Sequence, residues 1–409
     1  MYIHPILSAL RHHKIIAALI ILEIAFAYAV ICNAGFLIVE RVARIQRPTG
    51  IAEEALLRLQ LSPASQKDED SLAQTRTDLL ALRAIPGVLS ATVVNQIPYG
   101  DSSTNSAVSM REDQATPTLD AAIYLAGSGV IQTLGLNLVA GRDFTGDDYV
   151  DWKSTDIPGE VVIPTAIVTR ATAERLFPGE DAIGKSFYSW GGQPTRIVGI
   201  VERLTRPSEV DDPITMDYSV IFPVNLPYTS GANYVLRTTP QDSEATLKRA
   251  LQALRLAGPP RVYGLNNGTI ESLRDRYYRT DKAMAGLLVL VCTGLLIITL
   301  AGILGLSSFW VQQRTRTIGI RRALGATRKQ VLHYFQVENL LLTTVGSFLG
   351  IAMAIGMNLL LMGYYELSRL PIEYSLLGII LLIPLGQLAV LPPAMRAITV
   401  SPAIATRSA

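Results

Sequence analysis

Residues 284–311 read MAGLLVLVCTGLLIITLAGILGLSSFWV and contain no charged side chain. A helix of about 20 apolar residues spans the hydrocarbon core of a bilayer, which is about 30 Å thick. A helix also satisfies its backbone hydrogen bonds internally, as lipid requires. Composition agrees, because 17% of the 409 residues are charged and soluble domains contain about a quarter. We therefore predict a transmembrane helix here, with the lipid bilayer as its surroundings.

Three further segments meet the same test, namely 15–39, 337–362 and 376–395, the last with a bend expected near Pro384. The first resembles a secretion signal, but it is too long for a signal core, contains Glu23 and lacks a convincing cleavage site. We interpret it as a retained anchor. The sequence thus predicts a membrane protein with four transmembrane α-helices and a large α+β extracytoplasmic domain between helices 1 and 2.

Basic residues near the span ends predict the orientation, because they stay on the cytoplasmic side. The segment 312–336 contains six basic side chains and no acidic one, whereas the loop 363–375 contains both signs. We expect 312–336, the N-terminal segment 1–14 and the tail 396–409 to be cytoplasmic. The short loop 363–375 and the domain 45–280 are then periplasmic.

The domain 45–280 shows helical and alternating patterns separated by Pro and Gly turns. We predict a helix-plus-strand unit at each end, the two pairing into one small sheet, with a second subdomain between them. The end units are 71–85 with 88–96, and 233–238 with 243–256. The second subdomain has strands at 166–170, 186–190 and 196–201 and a short helix at 171–176.

Catalytic residues are scarce in this domain. The four histidines are His4, His12, His13 and His333, so imidazole-based hydrolysis or a His-ligated zinc site within 45–280 is excluded. Three acids could hold a cation, but acids in such Gly-flanked loops are more often solvated turn residues. They are Asp147, Asp148 and Asp151. The domain is predicted to bind or move rather than to catalyse.

The cysteines and the net charge exclude further kinds of site and partner. Cys32 and Cys292 cannot form a disulfide framework or a thiolate metal cage. Each lies in an apolar span at a similar distance from its end, so we interpret both as small buried hydrophobes on neighbouring helices. The net charge of +2 gives no indication of a nucleic-acid partner.

Small residues mark faces where helices in lipid approach closely. Gly346, Gly350 and Ala354 form such a stripe on the third span, and Ala301 with Gly305 forms a shorter one on the second. Packing within the subunit is favoured over a homodimer contact.

Glu23 lies in mid-membrane, where an ionisable residue usually faces a bundle interior or a wet cavity. Two interpretations remain open for this residue. It lines a substrate path, or it makes a structural hydrogen bond to a neighbouring helix.

Residues 313–336, QRTRTIGIRRALGATRKQVLHYFQ, predict a break between two helices. Gly325 is placed to end the first helix in the left-handed conformation. Thr327 starts the next, and Gln330 completes a capping box. The pattern predicts a basic helix–turn–helix elbow at the membrane surface. A lipid-facing basic loop would explain the charge but not the break.

The run R-x-I-G-I-x-R-A-L-G-A-T-x-x-x-V from Arg316 to Val331 resembles the signature of the FtsX/MacB superfamily of ABC-transporter permeases. Motifs in the domain resemble the MacB-type periplasmic core domain in order and spacing. They are 86–88 (PGV), Gly135 with 141–144 (GRDF), 173–177 (AERLF), 183–185 (IGK) and 197–201 (IVGIV). The tail segments 393–397 and 401–403 resemble the end of the same permeases.

The resemblance implies a mechanotransmitter, in which closure of two cytoplasmic ATPases pushes the elbow and span two, extended outward over 269–282, transmits the motion. The ATPase-coupling residues are then Ile318, Gly319, Ile320, Arg321, Arg322, Ala323, Leu324, Gly325, Ala326 and Thr327. Ile320 and Leu324 are expected to fill the ATPase groove. We expect no P-loop in this chain, because the one G-x-x-x-x-G-K-[ST] match, 179–186, lies between a predicted helix and a predicted strand rather than between a strand and a helix. No cofactor is therefore expected in it, and ATP and Mg belong to a separate ATPase.

Three functions are compatible with the resemblance, all in a bacterial inner membrane. One is export of a peptide, antibiotic or other amphiphile, with a periplasmic adaptor or outer-membrane channel as a candidate partner. Signalling to periplasmic wall hydrolases and extraction of lipoproteins are the alternatives. The large domain favours export. A second permease, identical or homologous, is expected to complete the complex, because paired ATPases require a two-fold arrangement.

Overall fold

The computed structural model describes residues 14–64, 71–100, 102–152, 161–189, 193–208, 215–313, 315, 318–320, 325–365 and 369–399. The chain divides into two compact units. One, called the membrane unit here, takes in both ends of the chain, up to Gln46 and from Thr280. The other, the inserted domain, is Arg47–Arg279.

The described α-helices follow one another along the chain as α1 Lys14–Ile45, α2 Ser71–Arg83, α3 Val130–Leu134, α4 Arg170–Leu176, α5 Ser243–Ala257, α6 Ile270–Tyr277, α7 Arg279–Gln313, α8 Arg328–Tyr365 and α9 Ile372–Thr399. Helices α1, α7, α8 and α9 are long and apolar enough to span a membrane. The protein therefore has four membrane helices, with a large α+β domain between the first and the second.

Helix α1 packs through its buried face against α8 and α9, and three apolar side chains on it are almost fully buried: Ile20, Ile24 and Tyr28. Cys32 and Cys292 are both free thiols and both belong to one apolar cluster of this unit. Helix α9 continues through Pro384 and two later prolines. Polar side chains, described below, fill the remaining contacts between these helices.

The inserted domain is built on one mixed sheet. Its strands are β1 Leu56–Pro63, β2 Val88–Val94, β3 Asn105–Val108, β4 Leu119–Ala126, β5 Leu138–Gly141, β6 Val150–Asp151, β7 Thr165–Thr169, β8 Ser186–Tyr188, β9 Pro194–Val201, β10 Ser219–Asn225, β11 Asn233–Thr238, β12 Arg261–Tyr263 and β13 Gly268–Thr269. The main path runs β12-β1-β11-β2-β4-β10-β7-β9-β5. Strands β4, β6 and β10 are parallel to one another, and most other pairs are antiparallel.

The pairing predicted between the two end units is confirmed, because β2 and β11 form an antiparallel ladder. The predicted middle strands also pair, with β7 parallel and β8 antiparallel to β9. The predicted strand 186–190 is shorter, ending at Tyr188, and Trp190 lies outside the described residues. Strands β1, β4 and β10 were not predicted. Strand β1 extends the end-unit strands beyond β11, and β4 and β10 join the middle strands and connect them to β2, so that all form one continuous sheet.

The two groups of strands meet at a narrow joint between β2 and β4, where the ladder contains the single residue pair Val94↔Ala126. Beyond it, Asn95 bonds β4 with both its backbone and its side chain. Its backbone amide donates to the Leu125 carbonyl at 3.1 Å. Its Oδ1 accepts from the Leu125 amide at 2.9 Å, and its Nδ2 donates to the Ile123 carbonyl at 2.9 Å. We refer to this β2–β4 contact as the joint.

A buried ion pair holds α2 against the domain. Asp78 of α2 and Arg261 of β12 both have side-chain exposures of 0%. The Arg261 guanidinium donates to both Asp78 oxygens, and the Tyr234 hydroxyl donates to Oδ2 at 2.6 Å. Gln74 adds a bond to Oδ1 at 2.9 Å. Because buried carboxylates need such partners, this network fixes both the position and the rotation of α2.

The chain leaves the inserted domain through α6 and enters the membrane unit through α7. A single residue, Tyr278, separates the two helices, with φ −89° and ψ 11°. The sequence predicted one uninterrupted outward extension of span two over 269–282. The structure divides that extension into two helices instead. Thr269 caps α6 by accepting from the Ser272 amide at 3.1 Å.

Candidate functional site

The first part of the elbow is anchored in the membrane unit. Ile318 is 6% exposed and belongs to an apolar cluster with Trp310, Val331 and Phe335. Ile320, two residues further on, is 45% exposed. Ile318 therefore positions the segment, whereas Ile320 presents an apolar side chain outward.

The second part of the elbow has the predicted turn and cap. Gly325 has φ +97°, in the left-handed region that glycine adopts without strain. The Thr327 amide donates to Gln330 Oε1 at 2.8 Å, and the Gln330 amide donates to Thr327 Oγ1 at 3.3 Å. These reciprocal bonds confirm the capping box at the start of α8.

The remaining predicted coupling residues are distributed as follows. Gly319 is buried, Ala326 is half-buried, and Thr327 is exposed. Arg321, Arg322, Ala323 and Leu324 lie outside the described residues. The described part of the elbow thus consists of a buried anchor, an exposed apolar side chain and a capped helix start.

The small residues predicted on the third span lie against α1. A Cβ added to Gly346 would lie 2.9 Å from Ile24 Cβ, and one added to Gly350 would lie 2.7 Å from Tyr28 Cβ. The Ala354 carbonyl accepts from Asn33 Nδ2 at 3.1 Å. The absence of side chains therefore allows α8 to approach α1 closely within the subunit.

The shorter stripe predicted on the second span is displaced by one position. Ala301 and Gly305 are exposed, and nothing lies within 4 Å of a Cβ added to Gly305. Gly302 instead faces α1, because a Cβ there would collide with the carboxylate of Glu23. Adjacent side chains on a helix point about 100° apart. A shift of one position therefore moves the stripe of small residues away from the face that contacts α1.

Glu23 is half-buried, and its carboxylate occupies the space that Gly302 leaves open. Within the residues that the structure describes, no side chain donates a hydrogen bond to it. The structural hydrogen bond considered from the sequence is therefore not present among them. Its place between α1 and α7 stays compatible with either a polar path or a packing role.

Sequence reasoning missed several polar residues of the membrane unit. Glu338 and Asn339 of α8 are 2% and 5% exposed. Asn339 Nδ2 donates to the Gly386 carbonyl of α9 at 2.9 Å, and Thr343, one turn along, is 1% exposed. The signal was available, because polar side chains within a span usually face other helices.

A second cluster lies in the inserted domain, beside the residues where the chain enters and leaves it. Glu53 accepts from Arg274 Nη1 at 2.8 Å and from the Tyr99 hydroxyl at 3.3 Å. The Tyr99 ring packs on Tyr277 and Tyr278, with centroids 5.6 and 5.7 Å apart. Burial raises the pKa of the Tyr99 hydroxyl, which stays protonated. We call these five residues the junction cluster.

Tyr99 has φ +63°, a left-handed conformation that is an outlier for a bulky residue. Such strain persists only where surrounding contacts impose it. The ring contacts with α6 and the bond to Glu53 provide that constraint. Tyr277 and Tyr278 therefore pack within the inserted domain.

The acids considered as a cation site are bonded to protein groups. Arg142 donates to both oxygens of Asp148, at 2.6 and 3.1 Å. This arginine lowers the pKa of Asp148 well below its ordinary value. Arg76 donates to both oxygens of Asp151 at 2.9 Å. Asp147 is exposed on the same turn, so the turn interpretation fits the observed bonds.

Two family models together cover most of the chain. The model described as the MacB-like periplasmic core domain matches residues 25–254, and the FtsX-like permease C-terminal model matches residues 289–402. The chain belongs to the MacB/FtsX permease family. The first match alone covers more than half of the sequence and includes most of the inserted domain. The second includes the elbow and the last two membrane helices.

Individual relatives of this MacB/FtsX-type chain are distant. Macrolide export ATP-binding/permease protein MacB of Acinetobacter baylyi is 26% identical over 265 residues, which are 63% of this chain and 37% of that protein. The uncharacterized ABC transporter permease YknZ of Bacillus subtilis is 24% identical over 294 residues, 69% of this chain and 66% of that one. The chain thus spans about two fifths of the length of the MacB relatives.

Solved structures give a weaker likeness. The periplasmic region of MacB from Actinobacillus actinomycetemcomitans aligns over 57% of this chain and 97% of that region, with a TM-score of 0.35 and 15% identity. The extracellular domain of YknZ aligns over 51% of this chain and 99% of that domain, with a TM-score of 0.31 and 19% identity. Family membership rests on the two family models.

Proposed function

We propose that this chain is the permease subunit of an ATP-driven ABC efflux complex that works by mechanotransmission. A separate cytoplasmic ATPase, in two copies, binds ATP and Mg. A second permease, identical or homologous, completes the complex in a bacterial inner membrane. The elbow and both termini are cytoplasmic and the inserted domain is periplasmic. The cargo is a peptide, antibiotic or other amphiphile.

The observation that supports the proposal most directly is the geometry of the elbow. Ile318 fixes its start in the membrane unit, and the Thr327–Gln330 cap fixes its end. Ile320 is held between them with its apolar side chain exposed. An exposed apolar side chain beside a basic stretch of sequence suits a groove on a partner, since binding hot spots are often anchors that fill pockets.

The junction cluster supports the other end of the proposed path. The chain enters the inserted domain near Glu53 and leaves it through α6, and Arg274 ties α6 to Glu53. Tyr99 packs on Tyr277, the last residue of α6, and on Tyr278, which follows it. In the proposed mechanism, motion of α7 reaches the domain through α6 and this cluster. Nothing in the path requires covalent chemistry in this chain.

The test compares Ile320→Asp and Leu324→Asp with Leu265→Asp. Leu265 is 98% exposed in the inserted domain, so the same chemical change there is a matched control. Each variant is purified with its native ATPase in nanodiscs, and ATP hydrolysis and cargo export are measured. The elbow variants are expected to insert normally but to lose chain-stimulated hydrolysis and export.

Two results would contradict the assignment. Full stimulated hydrolysis in both elbow variants would remove the docking role of the elbow. If no ATPase co-purified with the wild-type chain, the proposed ATPase partner would be refuted. The Leu265→Asp control is expected to retain wild-type hydrolysis, and both results are compared with it.

A further inference from the structure

A cavity of about 260 Å³ lies in the inserted domain beside α2. Its floor is apolar, formed by Leu79, Val93 and Leu226, which are buried, with Leu72 and Leu80 at its sides. Ligand pockets in proteins are mostly apolar concavities of roughly this size or larger, with a few polar groups that orient the ligand. This cavity lies just below the range of about 300–1,000 Å³ that is typical of such pockets, so it suits a small ligand.

The position of the cavity in the sheet is that of a binding site. Gly127 and Ser128 follow β4, and Asn225 ends β10, so the carboxyl ends of two parallel strands open into it. Crevices outside the carboxyl ends of parallel strands are where ligands bind in open α/β sheets. A Cβ added to Gly127 would lie 3.0 Å from Val93 Cγ1, so the missing side chain helps to keep the cavity open.

The cavity also lies at the joint between the two groups of strands. Val93 and Gly127 line it, and they flank the pair Val94↔Ala126 that joins β2 to β4. Ligand sites occur preferentially at boundaries between domains, where small relative movements change their shape. A ligand here would contact both groups of strands at once.

Two arginines line the cavity, and only one of them leaves it a net positive charge. Arg76 is neutralised, because it donates to both oxygens of Asp151. Arg83 donates through Nε and Nη2 to the Ala91 carbonyl, at 3.1 and 2.7 Å. Within the described residues Arg83 has no carboxylate partner, and its Nη1 hydrogens remain available. Asp78, on the same helix, is neutralised by Arg261.

We infer that this cavity binds a small acidic amphiphile, with its apolar body on the leucine-lined floor and its carboxylate on Arg83. A guanidinium pairs well with a carboxylate, whereas it repels an ammonium group. This inference rests on the proposed export function in one respect, because the ligand is taken to represent the class of exported cargo. Binding itself requires neither the ATPase nor ATP, so the two can fail separately.

The test uses the full chain in phosphatidylcholine nanodiscs, without ATPase. The probes are 4-phenylbutyrate and 4-phenylbutylammonium, which have the same apolar body and opposite charges at pH 7. Saturation-transfer NMR titrations, with empty nanodiscs subtracted, give the two affinities. We expect saturable binding of the carboxylate and about tenfold weaker binding of the ammonium probe.

Three variants locate the binding. Arg83→Gln is expected to weaken carboxylate binding about tenfold. Ser128→Trp places a large ring in the cavity from an exposed position and should abolish binding. Arg249→Gln is the matched control, because Arg249 is also an exposed helical arginine that donates to a backbone carbonyl. It should bind the carboxylate as wild type does.

These measurements test the binding site and the proposed export function separately. Equal affinity for the two probes, or no effect of Arg83→Gln, would overturn the acidic specificity. Absence of saturable binding, or wild-type binding by a folded Ser128→Trp chain, would overturn the site. Elbow variants that lose export yet bind 4-phenylbutyrate normally would leave the site intact. Wild-type export stimulation in those variants would count against the proposed function alone.

Discussion

Removing the buried carboxylate of Asp78 while Arg261 stays in place is expected to loosen α2 strongly. Both side chains have no exposure to water, and Asp78 accepts from Arg261, Tyr234 and Gln74. Breaking a buried ion pair by removing one partner costs about 3–5 kcal/mol, because the remaining charge stays desolvated. In Asp78→Leu, the Tyr234 hydroxyl also loses its acceptor.

A loss of about 4 kcal/mol corresponds to a roughly thousandfold rise in the open population of α2. Hydrogen exchange of the full chain in nanodiscs measures that rise directly in peptides from α2 and β12. Peptides from β7 and β9, on the other side of the joint, serve as the internal reference. Their exchange is expected to change much less.

The double variant Asp78→Leu/Arg261→Met separates charge from packing. With both charges replaced by apolar groups, about 1–4 kcal/mol of the loss should return. Asp113→Leu, which breaks an exposed pair with Arg111, should leave exchange unchanged because exposed pairs contribute little. If Asp78→Leu exchanged like wild type, or the double variant were no better than the single one, the account of this network would be refuted.

Two further predictions address packing and pH. Gly350→Val is expected to cost about 1–3 kcal/mol, because its Cβ would lie 2.7 Å from Tyr28 Cβ; Gly356→Val, with nothing within 4 Å, should leave the thermal midpoint of the detergent-purified chain unchanged. Asp148→Asn should cost about 1 kcal/mol at pH 7. Arg142 lowers the folded pKa of Asp148, so this stabilisation is complete above the unfolded pKa of about 3.9 and is lost as pH falls toward the folded one. Denaturation of both proteins at pH 7 and pH 3 should show the difference shrinking, and a constant difference would contradict the assignment.

Long elements with one dominant pattern were predictable from the sequence. The four spans follow from uninterrupted apolar runs, and α2 and α5 follow from amphipathic runs that end at Pro-Gly and Gly-Pro turns. Gly325 and the capping box were predicted because their chemistry is local. In each of these cases a few neighbouring residues determine the conformation.

The central strands were hidden by residues that strands usually lack. Strand β10 contains Pro223, which argues against a central strand. Strand β1 contains Arg58, which is 1% exposed because Asn233 and Gln60 accept its hydrogen bonds. That burial depends on a partner about 175 residues away, so no local pattern reveals it.

The proposed ligand site could not be predicted for the same reason. Its lining comes from α2, from β2, from the turn after β4 and from the end of β10, and the last two are far in the chain from the first two. Only the sheet order brings them together. Arg83 on its own is one more basic residue near a helix end, where cations are common.

Asn95 bonds β4 in two ways: its main-chain amide donates to the Leu125 carbonyl at 3.1 Å, and its side-chain amide bonds both Leu125 and Ile123. A backbone bond breaks only when the strand around it deforms, whereas an amide side chain can release both of its bonds by rotating about χ1 and χ2. The joint can therefore lose part of its bonding while the strands on either side keep theirs. In the proposed cycle, a pull on this sheet would be absorbed by these two torsions before any strand is broken.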